Sequence, residues 1–361
     1  MAAPLPMQIV ASAPGRVDIA GRVDIPAFFC QFPSASLGTC NITIGLRTTI
    51  AYRNEPRDSI IVRFGCIEER GRPYLNPEES SLPYFWLAAR EFRAPRGTFT
   101  VDSDIPRSSG LGGSSAFVIA LLSIFAASDG EFVLTDVERA KLVAKAYSFE
   151  NGTGLTSAGF QDYLASVYGG VNHWSWGVAS GGNVLTAERR EICSPSAAQE
   201  FSGSIALAFT GEPHASNYLH PVKAELRPKD HDEWLRVGDL CRECARLLKE
   251  RRWHELASVM MVERELWVRV SGEPISARVR ELLGIADALG IAARFAGVSS
   301  GGSVWAIGSP LEIAHLCGRW RLTTGTWNHA VVKTLGVDRG VKVACIRDEI
   351  FCRRSPELIC R

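Results

Sequence analysis

The sequence predicts an α+β protein of two domains. The first hundred residues are rich in strand patterns, the second half is dominated by amphipathic helices, and the two kinds of element show none of the regular βαβα alternation that a doubly wound sheet requires. The length, 361 residues, suits two domains rather than one. The polar, irregular stretch AERREICSPSAAQEFSG marks the expected boundary, giving domains over 1–195 and 196–361.

The elements follow in order. QIVASAP, NITIGLRTTIAYR, SIIVRFG and GTFTVDSD carry alternating or β-branched runs and read as strands. PRSSGLGGSSAF, at 106–117, then leads into VIALLSIFAAS, which reads as a buried helix. Thr135 and Glu138 form a capping box for a second helix, in which Leu142, Val143, Ala146 and Tyr147 fall at helical spacing. AGFQDYLASVYGG reads as a short helix ending at Gly169–Gly170, and GSIALAFTG as a strand. EWLRVGDLCRECARLLKE, WHELASVMMVERELWVRV and ISARVRELLGIADALG are amphipathic helices. ARFAG, SVWAIG and VKVACIR are short strands, the first two joined by GVSSGG. No internal repeat or low-complexity tract is visible.

Composition narrows the function. Apolar residues are 46% and charged residues 22% of the chain, with a net charge of +1, so a sizeable core is available and no electrostatic footprint for nucleic acid or a membrane surface is present. The longest near-apolar stretch, Ala116 to Ala127, is far short of the roughly 20 residues of a spanning helix. The N-terminus lacks a basic segment followed by a long apolar one, and a cytoplasmic protein is expected. Of the 10 cysteines only Cys241 and Cys244 form a close pair; they lie in a helical pattern without a second pair, which fits structural thiols better than zinc or redox chemistry.

The stretch 106–117 carries the most chemistry. A helix N-terminus leaves its first N–H groups unpaired and carries about half a positive charge. Gly110, Gly112 and Gly113 let an anion reach those groups, and Ser108, Ser109, Ser114 and Ser115 add hydroxyls, so the stretch can cradle a di- or triphosphate. A glycine-rich turn into a core helix accounts for the same glycines. GxxxxGK[ST] fails for want of a lysine, and GxGxxG fails because Ser115 stands at its third glycine.

PxxxGLGGSSA resembles the phosphate loop of the GHMP kinases, the superfamily of galactokinase, homoserine, mevalonate and phosphomevalonate kinases. Pro106 and Gly110 to Ala116 carry the match. Ala13-Pro14-Gly15-Arg16-Val17-Asp18 resembles the family's N-terminal APGRV(N/D) motif, and Gly297-Val298-Ser299-Ser300-Gly301-Gly302 its C-terminal GAGxGG loop. The middle of the chain is similar to heptose-phosphate kinases and fucokinase-like sugar kinases: GFQDYLASVYGGVN stands where those enzymes have GKQDQYAAAYGGFN, and IAGRVDIPAF where they have FAGGGTDLPPY.

The resemblance implies an N-terminal split βαβ-type domain bearing the nucleotide loop, a C-terminal ferredoxin-like α/β sandwich, and a site between them. It implies ATP and Mg2+ as cofactors. Pro106, Ser108, Ser109, Gly110, Leu111, Gly112, Gly113, Ser114 and Ser115 would hold the nucleotide. Asp162 would accept or orient the hydroxyl proton, and Arg16 would keep Asp162 ionised and meet the developing phosphoryl charge. Glu150 and Ser115 would ligate magnesium, with Ser114 an alternative to Ser115. Asp24, Arg22, Gly170, Gly297, Ser299, Ser300 and Gly301 would bind the acceptor. Taken singly, Asp162 also reads as a capping aspartate, Arg16 as a surface arginine, Glu150 as a solvated helix-end residue, Asp24 as a turn residue before Pro26 and GVSSGG as a simple hairpin turn.

Arg22 and Val23 stand where heptose-phosphate kinases have small residues, and Arg294 stands at a family lysine. A guanidinium at Arg22 suggests an acceptor carrying a phosphate or carboxylate. The expected function is transfer of the γ-phosphoryl group of ATP to a hydroxyl of a sugar or sugar phosphate, by a protein compatible with a homodimer. The alternatives are a GHMP enzyme for a non-sugar metabolite, of mevalonate, homoserine or diphosphate-decarboxylase type, and a non-catalytic sugar-binding regulator.

Overall fold

The computed structural model describes residues 7–21, 37–56, 58–71, 75–130, 133–153, 159–178, 185–193, 200–213, 231–272, 274–297 and 301–347. Two long antiparallel strands, β1 (Met7–Ala20) and β2 (Gly38–Arg53), form the spine of the first sheet. Their inward side chains, among them Ile9, Ala11, Ala13, Ile42, Ile44 and Ile50, are fully buried, as the alternation of the sequence predicts. β3 (Ile60–Phe64), β4 (Ile67–Gly71) and β5 (Gly97–Ser103) extend the sheet beyond β2, with β3 and β5 parallel. β6 (Val171–Val178) pairs with the start of β2 and with β7 (Leu185–Cys193).

The helix after the glycine-rich loop, α2 (Gly113–Ser128), is buried on nearly every face and packs on β1 and β2. Around it lie α1 (Pro83–Glu91), α3 (Asp136–Thr153) and α4 (Phe160–Tyr168). Thr135 caps α3 as one half of the expected capping box: its hydroxyl accepts the Glu138 N–H at 3.2 Å, but the Glu138 carboxylate takes Lys141 at 2.7 Å and the Thr135 N–H goes to the Val133 carbonyl at 2.8 Å, so the reciprocal bond is absent.

The second sheet is four-stranded and wholly antiparallel, in the order β11 (Val331–Leu335), β8 (Ile205–Phe209), β10 (Ser303–Ile307), β9 (Ala292–Phe295). It packs with α6 (Trp253–Ser271), α7 (Ala277–Ala288) and α8 (Pro310–Thr324). α5 (His231–Glu250) lies against α6 and against β1 and β2, so one apolar core runs between the sheets. The strands therefore change sheet between Cys193 and Ile205. The last described strand, β12 (Lys342–Arg347), returns to the first sheet and pairs with β1. The expected α+β class holds. Among the described residues no helix is long and apolar enough to cross a membrane. Cys241 and Cys244 are buried free thiols on α5, and burial pushes both up in pKa, which suits structural rather than reactive cysteines.

His173, on β6, is a buried polar feature with a measurable consequence. Burial, with Arg190 and Arg242 nearby, pulls its imidazole down from 6.5 to about 4. The unfolded chain takes up a proton near pH 6.5 and the folded one only near pH 4, so this contribution is fully present above pH 6.5 and is lost as pH falls toward 4. It is on the order of 3 kcal/mol. Denaturant unfolding followed from pH 7.5 to 4.5 should show this decline, and His173→Gln should flatten it; an unchanged slope would mean that other groups govern acid stability.

Candidate active site

The register between β1 and β2 slips between Pro14 and Arg16, where two steps of β1 face four of β2, from Arg47 to Thr43, so the bulge lies on β2. A Cβ at Gly15 would lie 2.6 Å from the Leu111 carbonyl oxygen, so only glycine lets the loop approach this closely. That carbonyl accepts the Arg16 N–H at 2.9 Å, fastening the loop to the strand.

The Arg16 side chain, 3% exposed, then meets Asp162 across 146 residues of sequence: Nε donates to Oδ1 at 2.5 Å, and a second guanidinium nitrogen pairs with the same oxygen. Nη1 donates to the Gly110 carbonyl at 2.6 Å, and Asp18 Oδ1 lies 3.4 Å from Nε. The other oxygen of Asp162, Oδ2, accepts the Gly159 N–H at 3.1 Å in the first turn of α4. Asp162 thus pairs with Arg16 through one oxygen and caps the first turn of α4 with the other.

α2 opens beside this pair. Gly112 stands at its N-cap with φ +75°, and no side chain caps the helix. Its opening N–H groups and dipole therefore face a cleft of about 500 Å³. Arg16, Asp162, Gly297 and every residue from Pro106 to Ser115 line that cleft, so the predicted nucleotide loop lies in it without a break. Ser115 is buried with its hydroxyl 3.4 Å from Glu150 Oε2, whereas Ser114 is exposed, so Ser115 is the serine turned toward Glu150. Glu150 Oε2 also accepts a hydrogen bond from the Tyr163 hydroxyl. Glu150 is fully buried and does not itself line the cleft; Ser115 stands at the wall. The carboxylate beside Tyr163 and, first of all, burial push that phenol well above its usual range, which keeps it a donor.

The predicted acceptor residues divide. Arg22, Asp24, Ser299 and Ser300 lie outside the described residues. Gly297 reaches the cleft. Gly170 is not among its lining: its N–H donates to the Asp338 carbonyl at 2.9 Å and its carbonyl accepts from Thr43 at 3.0 Å, tying α4 to the segment before β12. Gly301 packs against the Pro213 carbonyl, 2.7 Å from where a Cβ would be, and is likewise not in the lining. Arg294 is fully buried and ion-paired with Glu263 at 3.0 Å; Glu263 Oε1 also accepts the Gly21 N–H at 3.0 Å. It is a core cation away from the cleft wall.

Sequence reasoning missed the apolar half of the cleft. Val62 and Phe64 from β3, Leu82 and Tyr84 at the start of α1, Val101 from β5 and Phe117 from α2 form its wall. They come from four separate elements with no shared spacing, so no motif announces them. The arrangement offers an apolar slot next to a cradle of amides and hydroxyls, ending at a carboxylate held by an arginine. A molecule with a flat apolar end and a polyanionic tail fits it.

Residues 83–170 match the GHMP kinases N terminal domain. The chain is 28% identical over 218 residues to glucuronokinase 1 of Arabidopsis thaliana, a match over 57% of this chain and 56% of that protein. It thus spans about half the length of that relative. Among solved structures, the fold is similar to a D-glycero-D-manno-heptose 1-phosphate kinase from Bacteriodes thetaiotaomicron, with a TM-score of 0.67 at 15% identity over 94% of this chain and 100% of that one. It is similar also to Lactococcus lactis galactokinase complexed with galactose, with a TM-score of 0.68 at 12% identity over 93% and 95% of the two chains. At these identities the structural likeness speaks for the fold alone, and that fold is the one the GHMP resemblance implies.

Proposed function

With a GHMP kinase N-terminal domain over residues 83–170 as the premise, we propose that this protein is an ATP-dependent kinase that phosphorylates a hydroxyl of a sugar carrying an anionic group, in the cytoplasm. The observation that carries the reading is the Arg16–Asp162 pair, set beside the uncapped N-terminus of α2 in one cleft. Phosphoryl transfer asks mostly for positioning and for charge stabilisation. The amides opening α2 and the hydroxyls of Ser108 and Ser109 bind the phosphate tail, and the apolar wall takes the nucleoside. Asp162 Oδ1 takes the acceptor hydroxyl's proton or orients it. Arg16 holds that oxygen in place and offsets negative charge on the transferring group.

The Arg16 guanidinium is already matched by the carboxyl groups of Asp18 and Asp162, and Glu150 adds a further carboxyl behind Ser115, so a polyphosphate beside them calls for added positive charge. A magnesium ion fits. Its coordination takes few protein oxygens, and Ser115 with Glu150 supplies one hydroxyl and one carboxylate turned toward each other. Bound there it would neutralise phosphate charge. The free buried thiols accord with a reducing compartment.

The acceptor class follows from Arg22 in the sequence and from the relative named a glucuronokinase. Turnover of ATP should be stimulated by a sugar acid such as glucuronate or by a sugar phosphate, should fall at least tenfold with the matching neutral sugar, and should cease with EDTA. Equal use of neutral and anionic sugars would remove the anion requirement, and sugar binding without turnover would favour a sensor.

A further inference from the structure

Arg107 is a second guanidinium of the cleft. It lies between Pro106 and Ser108 and lines the cleft, and its guanidinium sits over the Phe64 ring, 5.0 Å from the centroid. Arg16 is committed to Asp162 and Asp18. Arg107, by contrast, is exposed and has no carboxylate partner among the described residues. An arginine on an aromatic face at an exposed site is held by only about 0.5–1 kcal/mol, so it is readily drawn away by an anion.

Two neighbouring features point to a ligand at this spot. Ser108 is a non-glycine residue at φ +53°, so the backbone turns sharply just after Arg107. The turn leads to Ser109, a residue of the cleft lining that is 2% exposed and whose buried hydroxyl has no hydrogen-bond partner among the described residues. A buried hydroxyl without a partner is costly unless a ligand satisfies it. Arg107 and Ser109 thus flank the junction between the apolar wall, marked by Phe64, and the amide cradle at Gly112–Gly113. The loop has no lysine, the residue that supplies the cation in the commoner phosphate loop.

We propose that Arg107 is the nucleotide-clamping cation of this chain: its guanidinium leaves Phe64 and pairs with the polyphosphate of the bound nucleotide, while Ser109 donates its hydroxyl to the same tail. The inference rests on the kinase reading and deepens it. A guanidinium binds phosphate oxygens through two parallel N–H groups, so the contact depends on the phosphates and not on the base.

Calorimetric titration of the full chain with ADP and with adenosine tests it. Arg107→Ala should weaken ADP about tenfold and adenosine less than about twofold, and Arg107→Lys should recover part of the loss. ADP affinity of the unaltered protein should fall more steeply with added salt than that of Arg107→Ala. Equal weakening of ADP and adenosine would overturn the proposal in favour of stacking on the base. Unchanged ADP affinity in Arg107→Ala would make Arg107 a surface residue and leave the kinase reading standing. Failure of the unaltered protein to bind ADP at all would sink both.

Discussion

Asp162→Asn is expected to lower turnover of ATP with the acceptor sugar by about 10²- to 10⁴-fold while ADP binding stays within about threefold. The substitution keeps size and shape, so it isolates the carboxylate. If the amide oxygen stays toward Arg16, its NH₂ group faces the Gly159 N–H, donor against donor, and the 3.1 Å bond in the first turn of α4 is lost. That costs about 1 kcal/mol. Arg16 retains the Gly110 carbonyl and Asp18, so it is not stranded. The expected outcome is a nearly stable, nucleotide-binding and nearly inactive protein. Turnover within tenfold of the unaltered chain, with the stability loss present, would make Asp162 a capping residue and nothing more.

Gly110→Ala and Gly112→Ala should separate fold from chemistry. Both glycines have positive φ, +77° and +75°, so either alanine is strained by about 1–2 kcal/mol. At Gly110 the new Cβ would lie 2.6 Å from the Ala296 carbonyl oxygen, and backbone must move. The total there should reach roughly 3 kcal/mol or more, read as a fall in unfolding free energy. At Gly112 the nearest atoms, in Arg16 and Asp162, stand 3.6 Å away, an ordinary contact. That variant should stay folded yet lose most of its turnover, because the methyl group projects toward the Arg16–Asp162 pair, beside which the proposed transfer takes place. Similar stability for the two variants would contradict the close approach of the loop to Ala296.

What the sequence disclosed follows from where its signals are local. Gly110, Gly112 and Gly113, set before an unbroken apolar run, announce a loop feeding a buried helix, and both features are there. Thr135 and Glu138 mark the start of α3. The pairing of Arg16 with Asp162 has no local signal at all, since 146 residues separate them; only the resemblance of two distant motifs to one family brought them together. α8 is absent from the expected elements although Ser309 and Glu312 spell a full capping box with Pro310 at the first turn, a stronger local signal than that of α3. The hairpin of β6 and β7 is absent as well. So is β11, whose half-exposed residues lack the alternation that marks a strand with one buried face. Gly170, whose family match suggests a place by the acceptor, instead joins α4 to the backbone at Asp338. Motif position carried its neighbourhood in the chain correctly, but could not say which way the backbone turned.

The return of β12 to the first sheet limits how this molecule can be dissected. A fragment ending at residue 195 keeps the phosphate loop, yet it exposes the flank of β1 that Lys342–Arg347 covers, with its unfilled backbone donors and acceptors. Such a fragment invites edge-to-edge association. A circular permutant opened elsewhere would keep β1 and β12 stitched side by side, and is the sounder route to rearranging the chain.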